Sequence, residues 1–294
     1  MTCGITLGDT LTWPARNLPH KTALVSGIGT GRRAWTFAQL DAEVNRHAHA
    51  LQSLGIGKGD VVGAFLYNTP AFVFALLATA RLGAVFNPVN YRLAAQELAY
   101  ILNDGGARAL LFEREGAAVV EKAAELAPGT ALRLYADADP APAFATHRLD
   151  TLAAEQPDTP PTVTVGENDP CILMYTSGTT GRPKGVMHTH RSKLQHNAMM
   201  HQAMMLSRED VGLSIAPPSC TPVSCRACRS ALPRCCSAAS MRARPGSWSK
   251  PRASRTSSPR RPWSACCSTI RTQQPVTCPR CGWWSTAAHR WRRT

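Results

Sequence analysis

The chain has 294 residues, enough for one large domain or two small ones, and its 44% hydrophobic content excludes wholesale disorder. The net charge of +14 suggests a nucleic-acid partner only until it is located, because residues 217–294 carry 14 Arg and one Lys with no Asp or Glu. The remaining 18 basic and 19 acidic residues lie in residues 1–216, which are close to neutral, so no nucleic-acid partner is expected for the front part.

Nine of the 11 cysteines also lie beyond residue 216. Cys3 and Cys171 alone precede it, which fits a reduced domain without a disulfide framework. The N-terminus, MTCGITLGDTLTWPAR, lacks the basic patch and apolar run of a secretory signal, so the cytoplasm is the expected compartment. Thr36 can cap a helix, and Gln39 three residues later completes a capping box. Phe37, Leu40, Val44, Ala48, Leu51 and Leu54 then recur at helical spacing until Gly55 supplies a stop. Residues 61–66 are a short apolar run of strand type. Thr69 and Pro70 open a second helix in the order cap then proline, and Gly83 closes it.

Residues 71–86 form the most apolar stretch, but Arg81 interrupts them and they are too short to span a bilayer. They read as a buried helix running into a strand over 84–89. A helix over 94–103, a strand over 108–112, a helix over 116–126 and strands over 132–135 and 171–175 follow. Strands alternating with helices of this length imply βαβ units and a mostly parallel sheet, an α/β fold. The Pro-, Ala- and Asp-rich residues 136–169 read as an irregular surface excursion.

Beyond Ala216 that grammar stops. Residues 217–294 hold one Leu, one Ile, two Val and neither Phe nor Tyr, yet five of the seven Trp. Arg, Ser, Pro, Ala, Cys and Trp share GC-rich codons, and acidic residues and Leu vanish at one point. A shift of reading frame near residue 216 accounts for all of these at once. A segment so poor in aliphatic residues cannot offset its ordering entropy and is expected to be disordered. The domain boundaries are therefore 1–216 and 217–294.

The chemistry is carried by YTSGTTGRPKGV, residues 175–186, which follows the apolar strand and precedes a segment that can be helical from about His190. Its glycines allow close backbone approach to a ligand, and successive N–H groups in such a turn form an anion-binding nest. Its hydroxyls add donors, Lys184 supplies a point charge suited to phosphate, and Pro183 stiffens the turn before it. The pattern is not that of the Walker A loop, because Lys184 is followed by Gly185 and not by Ser or Thr.

This stretch resembles the signature of the adenylate-forming, AMP-binding superfamily. WTFAQL (35–40), LGIGKGDVVGA (54–64) and ARLGAVFNPVNYRL (80–93) agree with it, the last resembling fatty-acyl-CoA synthetases in particular. The likeness runs from about residue 10 to 216 and implies the N-terminal part of that family's large domain. It implies ATP, Mg²⁺ and coenzyme A as cofactors, and a fatty or other carboxylic acid as substrate. The acid would be activated to an acyl-adenylate with release of pyrophosphate and then passed to coenzyme A.

By the same resemblance Thr176, Ser177, Gly178, Thr179, Thr180, Gly181 and Lys184 hold the β- and γ-phosphates; no catalytic residue or metal ligand is assigned. The family's later acidic motifs for ribose and Mg²⁺, and its small C-terminal domain, have no counterpart here, so the chain as written is expected to be truncated and inactive. Two alternatives stay open. One is a non-catalytic nucleotide-binding fragment. The other is a zinc or nucleic-acid role for the tail, from Cys225, Cys228, Cys278 and Cys281, although roughly 50 residues separate the two pairs. His188, His190 and His196 lack an acidic or Cys partner in sequence and read as packing or hydrogen-bonding groups.

Overall fold

The computed structural model describes residues 5–27, 31–137, 140–176, 182–205, 210, 212–214 and 235–237. The chain divides into two compact units, Met1–Arg242 and Ala243–Thr294, and every described residue lies in the first. Helix α1 (Thr12–Asn17) leads into the hairpin β1 (Thr22–Ser26) and β2 (Arg33–Thr36). Thr36 then caps α2 (Phe37–Ser53): its hydroxyl accepts from the Gln39 N–H, and the Gln39 side chain accepts from the Thr36 N–H. The capping box predicted from sequence is present on both sides.

Strand β3 (Val61–Phe65), α3 (Pro70–Leu82), β4 (Val85–Pro88), α4 (Ala95–Asp104), β5 (Ala107–Phe112), α5 (Ala117–Leu126) and β6 (Leu132–Tyr135) follow. Gly83 ends α3 with φ of 67°, a left-handed conformation that costs a glycine little. Thr69 sits at the N-cap of α3 but does not cap with its side chain. Its hydroxyl is instead drawn to the Glu113 carboxylate at the end of β5, a stronger, charge-assisted acceptor.

The central sheet has seven strands in the order β7-β6-β5-β3-β4-β8-β9, with β7 (His147–Arg148), β8 (Pro170–Thr176) and β9 (Lys184–Thr189) completing it. Neighbours from β7 through β8 pair in parallel, and β9 alone runs antiparallel, on β8. This confirms the α/β class with a mostly parallel sheet. Both faces are covered, which is why strands such as β3 read as unbroken apolar runs. On β5, Ala109 and Leu111 join one core with α2 and α3, whereas Leu110 and Phe112 join a second core with α4 and α5.

Helix α3 is apolar almost all round because it is buried on two sides. It packs on the large sheet, and through Val73, Phe74 and Leu77 against Leu24, Trp35 and Phe37 near the small sheet. Arg81 is its one charged residue. The guanidinium bonds Asp41 and Asn45 of α2, and its Nε donates to the Gly8 carbonyl at 3.4 Å.

The excursion over 136–169 is less irregular than its composition suggests, because it contains β7 and the six-residue helix α6 (Leu149–Ala154). Six residues are too few to show a helical period, although Leu149 and Ala153 are buried on one face. The tail also departs from expectation at one place. Residues Cys235–Ser237 form β11, paired in parallel between β1 and β10 (Gly212–Ser214). Strand pairing uses backbone groups that any sequence supplies, so a lack of aliphatic side chains does not prevent it. The rest of 217–294 lies outside the described residues.

Helix α7 (His190–Ala203) starts one residue after β9, where the sequence predicts it. His190 is fully buried, and its Nδ1 accepts from the Leu7 N–H at 3.0 Å, tying α7 to the N-terminal segment. Burial pushes its pKa from 6.5 down to about 4, so on acidification the unfolded chain takes up the proton first. The stability this supports is complete above pH 6.5 and is lost as pH falls towards 4, at about 1.4 kcal/mol per pH unit.

Urea midpoints are therefore expected to drop across that window. His190→Asn, which keeps an acceptor for Leu7 and cannot titrate, should flatten the profile. Some slope will remain from His47, His188 and His196, which burial also lowers. Identical slopes in wild type and variant would show that His190 does not control acid stability.

Candidate nucleotide-binding site

Strands β8 and β9 flank the glycine- and hydroxyl-rich residues in the chain. Strand β8 is anchored by Cys171, Ile172 and Leu173, which are buried, and becomes progressively more exposed towards Thr176. Because β8 runs parallel to β4, Thr176 stands at the C-terminal end of the parallel strands. Ligands of open α/β sheets gather at that end.

Thr176 and Lys184 are brought together as a cross-strand pair at the mouth of the turn, both exposed. The Thr176 hydroxyl donates to the Lys184 carbonyl at 3.5 Å, a long contact. Ser177, Gly178, Thr179, Thr180 and Gly181, assigned to phosphate from sequence, lie outside the described residues. The sequence reading ended the motif at Val186 and assigned no strand before the helix at about His190, but β9 occupies Lys184–Thr189. Its Lys-Gly-Val-Met-His-Thr order shows no alternation because β9 is an exposed edge, with Val186 and Met187 both facing solvent.

Residues that sequence reasoning did not single out hold the two flanks of the turn. The Tyr175 hydroxyl donates to Asp104 Oδ2 at 2.6 Å, and the Tyr100 hydroxyl donates to the Pro183 carbonyl at 3.3 Å. Tyr100 and Asp104 are four residues apart on α4, so both project from one face of its last turn. Leu173 and Tyr175 together occupy the space beside two glycines. A Cβ at Gly185 would come within 3.2 Å of the ring, and one at Gly105 within 3.3 Å of its hydroxyl. Burial and the Asp104 carboxylate both raise the Tyr175 pKa, so it remains a donor through the whole physiological range.

The electrostatics suit an anion. The donors at the mouth are a hydroxyl and an ammonium, which fit phosphate oxygens. Among the described residues no three His, Cys, Asp or Glu side chains converge as a metal site. Behind the hairpin, Cys171 is buried and its thiol is pushed up to about 12, so it is no nucleophile. Lys193 beside it is lowered by burial. The histidines predicted to pack do so differently: His190 bonds Leu7, whereas His188 and His196 are half-buried near Lys193. Cys225, Cys228, Cys278 and Cys281 lie outside the described residues.

A second polar group lies at the same sheet end. The buried Glu113 carboxylate accepts from the Tyr67 N–H at 2.8 Å and from Thr69, and burial raises its pKa. Tyr67 stacks on Tyr91 at 4.1 Å, with Arg92 over the outer ring. No described helix is long and apolar enough to cross a membrane.

Comparison with known proteins agrees with this geometry. A family model described as AMP-binding enzyme matches residues 11–224. The feruloyl-CoA synthase of Amycolatopsis sp is 43% identical over 181 residues, which make up 60% of this chain and 33% of that protein. The long-chain-fatty-acid–CoA ligase FadD13 of Mycobacterium tuberculosis is 42% identical over 159 residues, 53% of this chain and 30% of that protein. The inhibitor-bound N-terminal domain of FACL13 from Mycobacterium tuberculosis aligns with a TM-score of 0.67 at 30% identity, covering 79% of this chain and 56% of that one. The chain thus spans about a third of the length of the curated relatives it matches. A sheet of parallel strands ending in this turn, matched over most of its length, makes the chain a member of the AMP-binding enzyme family, related to the CoA ligases through their N-terminal part.

Proposed function

We propose that this chain contributes the ATP-phosphate loop of an AMP-forming acid–CoA ligase, with a fatty acid as the carboxylate. The observation that carries the reading is the pairing of Thr176 with Lys184 at the tip of β8, which brings a hydroxyl and an ammonium to the two ends of a Gly/Ser/Thr turn. In the proposed reaction the carboxylate attacks the α-phosphorus of ATP and pyrophosphate leaves. Thr176, Ser177, Gly178, Thr179, Thr180, Gly181 and Lys184 hold the β- and γ-phosphates, so charge building on the leaving group meets donors already in place. Their role is positioning and charge stabilisation, not covalent catalysis.

The fatty-acid assignment rests on the likeness of residues 80–93 and on the Mycobacterium tuberculosis ligase. An aromatic acid is the second reading, favoured by the feruloyl-CoA synthase at 43% identity. We keep the end of the adenylation segment near residue 216 and read 217–294 as out of frame. A segment without Asp or Glu offers no carboxylate for ribose or Mg²⁺, so the 294-residue chain is proposed to bind ATP without forming an adenylate. The cytoplasm is the compartment we propose, from the two isolated cysteines of the front part.

ATP–pyrophosphate exchange tests these points. The 294-residue chain should give no exchange with any acid. The chain continued in the alternative reading frame after Ala216 should exchange with long-chain fatty acids and not with hydroxycinnamic acids. Exchange by the 294-residue chain would overturn the inactive reading, and exchange with ferulate alone would overturn the fatty-acid one.

A further inference from the structure

We infer that the last turn of α4 positions the phosphate loop, with Asp104 and Tyr100 as positioning residues that act through Tyr175 and Pro183. The inference rests on the proposed ATP-binding role of the hairpin and assigns a further function to a helix outside the signature sequence. Three features of the structure support it.

The first is symmetry of attachment. Tyr175 precedes Thr176 on one side of the turn and Pro183 precedes Lys184 on the other, and each is bonded to α4 through a tyrosine hydroxyl. One rigid helix therefore sets the separation and direction of both strands where they enter the turn. Helices and strands hold a site more tightly than a loop holds itself.

The second is where Asp104 sits. It is the final residue of α4, where the helix dipole is negative and a carboxylate is disfavoured. Its bond to Tyr175 is short and charge-assisted, at 2.6 Å, and supplies an interaction that offsets the unfavourable placement. The third is steric. A methyl group at Gly105 or Gly185 would press first on Leu173, at 3.1 and 3.0 Å, and on the Ile101 carbonyl, and would also reach the Tyr175 hydroxyl at 3.3 Å or the Tyr175 ring at 3.2 Å. The ring is thus confined by packing, while its hydroxyl is fixed by Asp104. A tyrosine held at both ends fixes the backbone of the residue after it.

The test uses the 294-residue chain and four variants: Tyr175→Phe, Asp104→Ala, Asp104→Asn and Tyr100→Phe. Equilibrium binding of ATP is measured alongside amide hydrogen exchange in residues 172–176 and 183–187. Tyr175→Phe and Asp104→Ala are each expected to weaken ATP binding about tenfold, since each removes one bond to a charged group. The double variant should be no weaker than either single, because both remove the same bond. Asp104→Asn keeps an acceptor and should restore most of the affinity, while Tyr100→Phe should cost about threefold.

Exchange should quicken in the hairpin ends of the weakened variants, with peptides from β3 and β5 unchanged. Faster hairpin exchange with unaltered ATP affinity would mean a structural role only and overturn the inference. So would unaltered exchange. Both results leave the phosphate-loop assignment intact, which separates the two claims. A wild-type chain that fails to bind ATP would overturn the assignment, and the positioning role with it.

Discussion

Replacing Lys184 by alanine is expected to weaken ATP binding by the 294-residue chain about 10- to 100-fold, the loss of one charge-assisted contact to phosphate. The residue is exposed at the first position of β9, and its backbone pairs with Thr176 whatever side chain it carries. The variant should therefore unfold at the same urea concentration as wild type. Lys184→Arg should lie between the two, because a planar guanidinium keeps the charge but presents a different geometry to the oxygens. Unchanged affinity in Lys184→Ala would remove the lysine from the site.

Arg81→Ala is expected to have the largest effect on stability, about 3 kcal/mol or more. The Arg81 side chain is 8% exposed and bonds Asp41 and Asn45, and it reaches the Gly8 carbonyl. Its removal leaves the Asp41 carboxylate, 23% exposed, without its charged partner and with only a long 3.5 Å bond from the Asn45 amide. Asn45 also donates to the Asp158 carbonyl at 2.6 Å, so the disturbance extends to the segment before β8. Since domains are stable by only about 5–15 kcal/mol, much of the folded population is at risk on warming. Adding Asp41→Asn should recover part of the loss by removing the stranded charge. A single-variant cost below about 1 kcal/mol, measured by urea unfolding, would mean that solvent screens the pair.

These two residues mark what could and could not be read from the sequence. Thr36 with Gln39, and Gly83 after an apolar run, signal helix ends through neighbours three or fewer residues away, and both signals hold. The alternation of helices and apolar strands likewise gives the parallel sheet. Arg81 is visible only as an interruption, because its partners on α2 are 36 and 40 residues away. Thr69 looks like a helix cap until Glu113, 44 residues on, claims its hydroxyl.

The site divides in the same way. The turn between Thr176 and Lys184 carries its chemistry in consecutive residues and is legible as a motif. The bonds that hold its flanks join residues 71 and 83 positions apart, so no local pattern announces Asp104 or Tyr100. Strand β9 escaped notice for a physical reason as well: an exposed edge has no buried face to impose alternation.

Calorimetric titration of the 294-residue chain with ATP, pyrophosphate and AMP probes the grip on the terminal phosphates most directly. ATP and pyrophosphate should compete for one site, and AMP, which lacks those phosphates, should bind far more weakly. AMP binding as tight as ATP, or pyrophosphate that fails to displace ATP, would mean that the hairpin between β8 and β9 does not hold the β- and γ-phosphates.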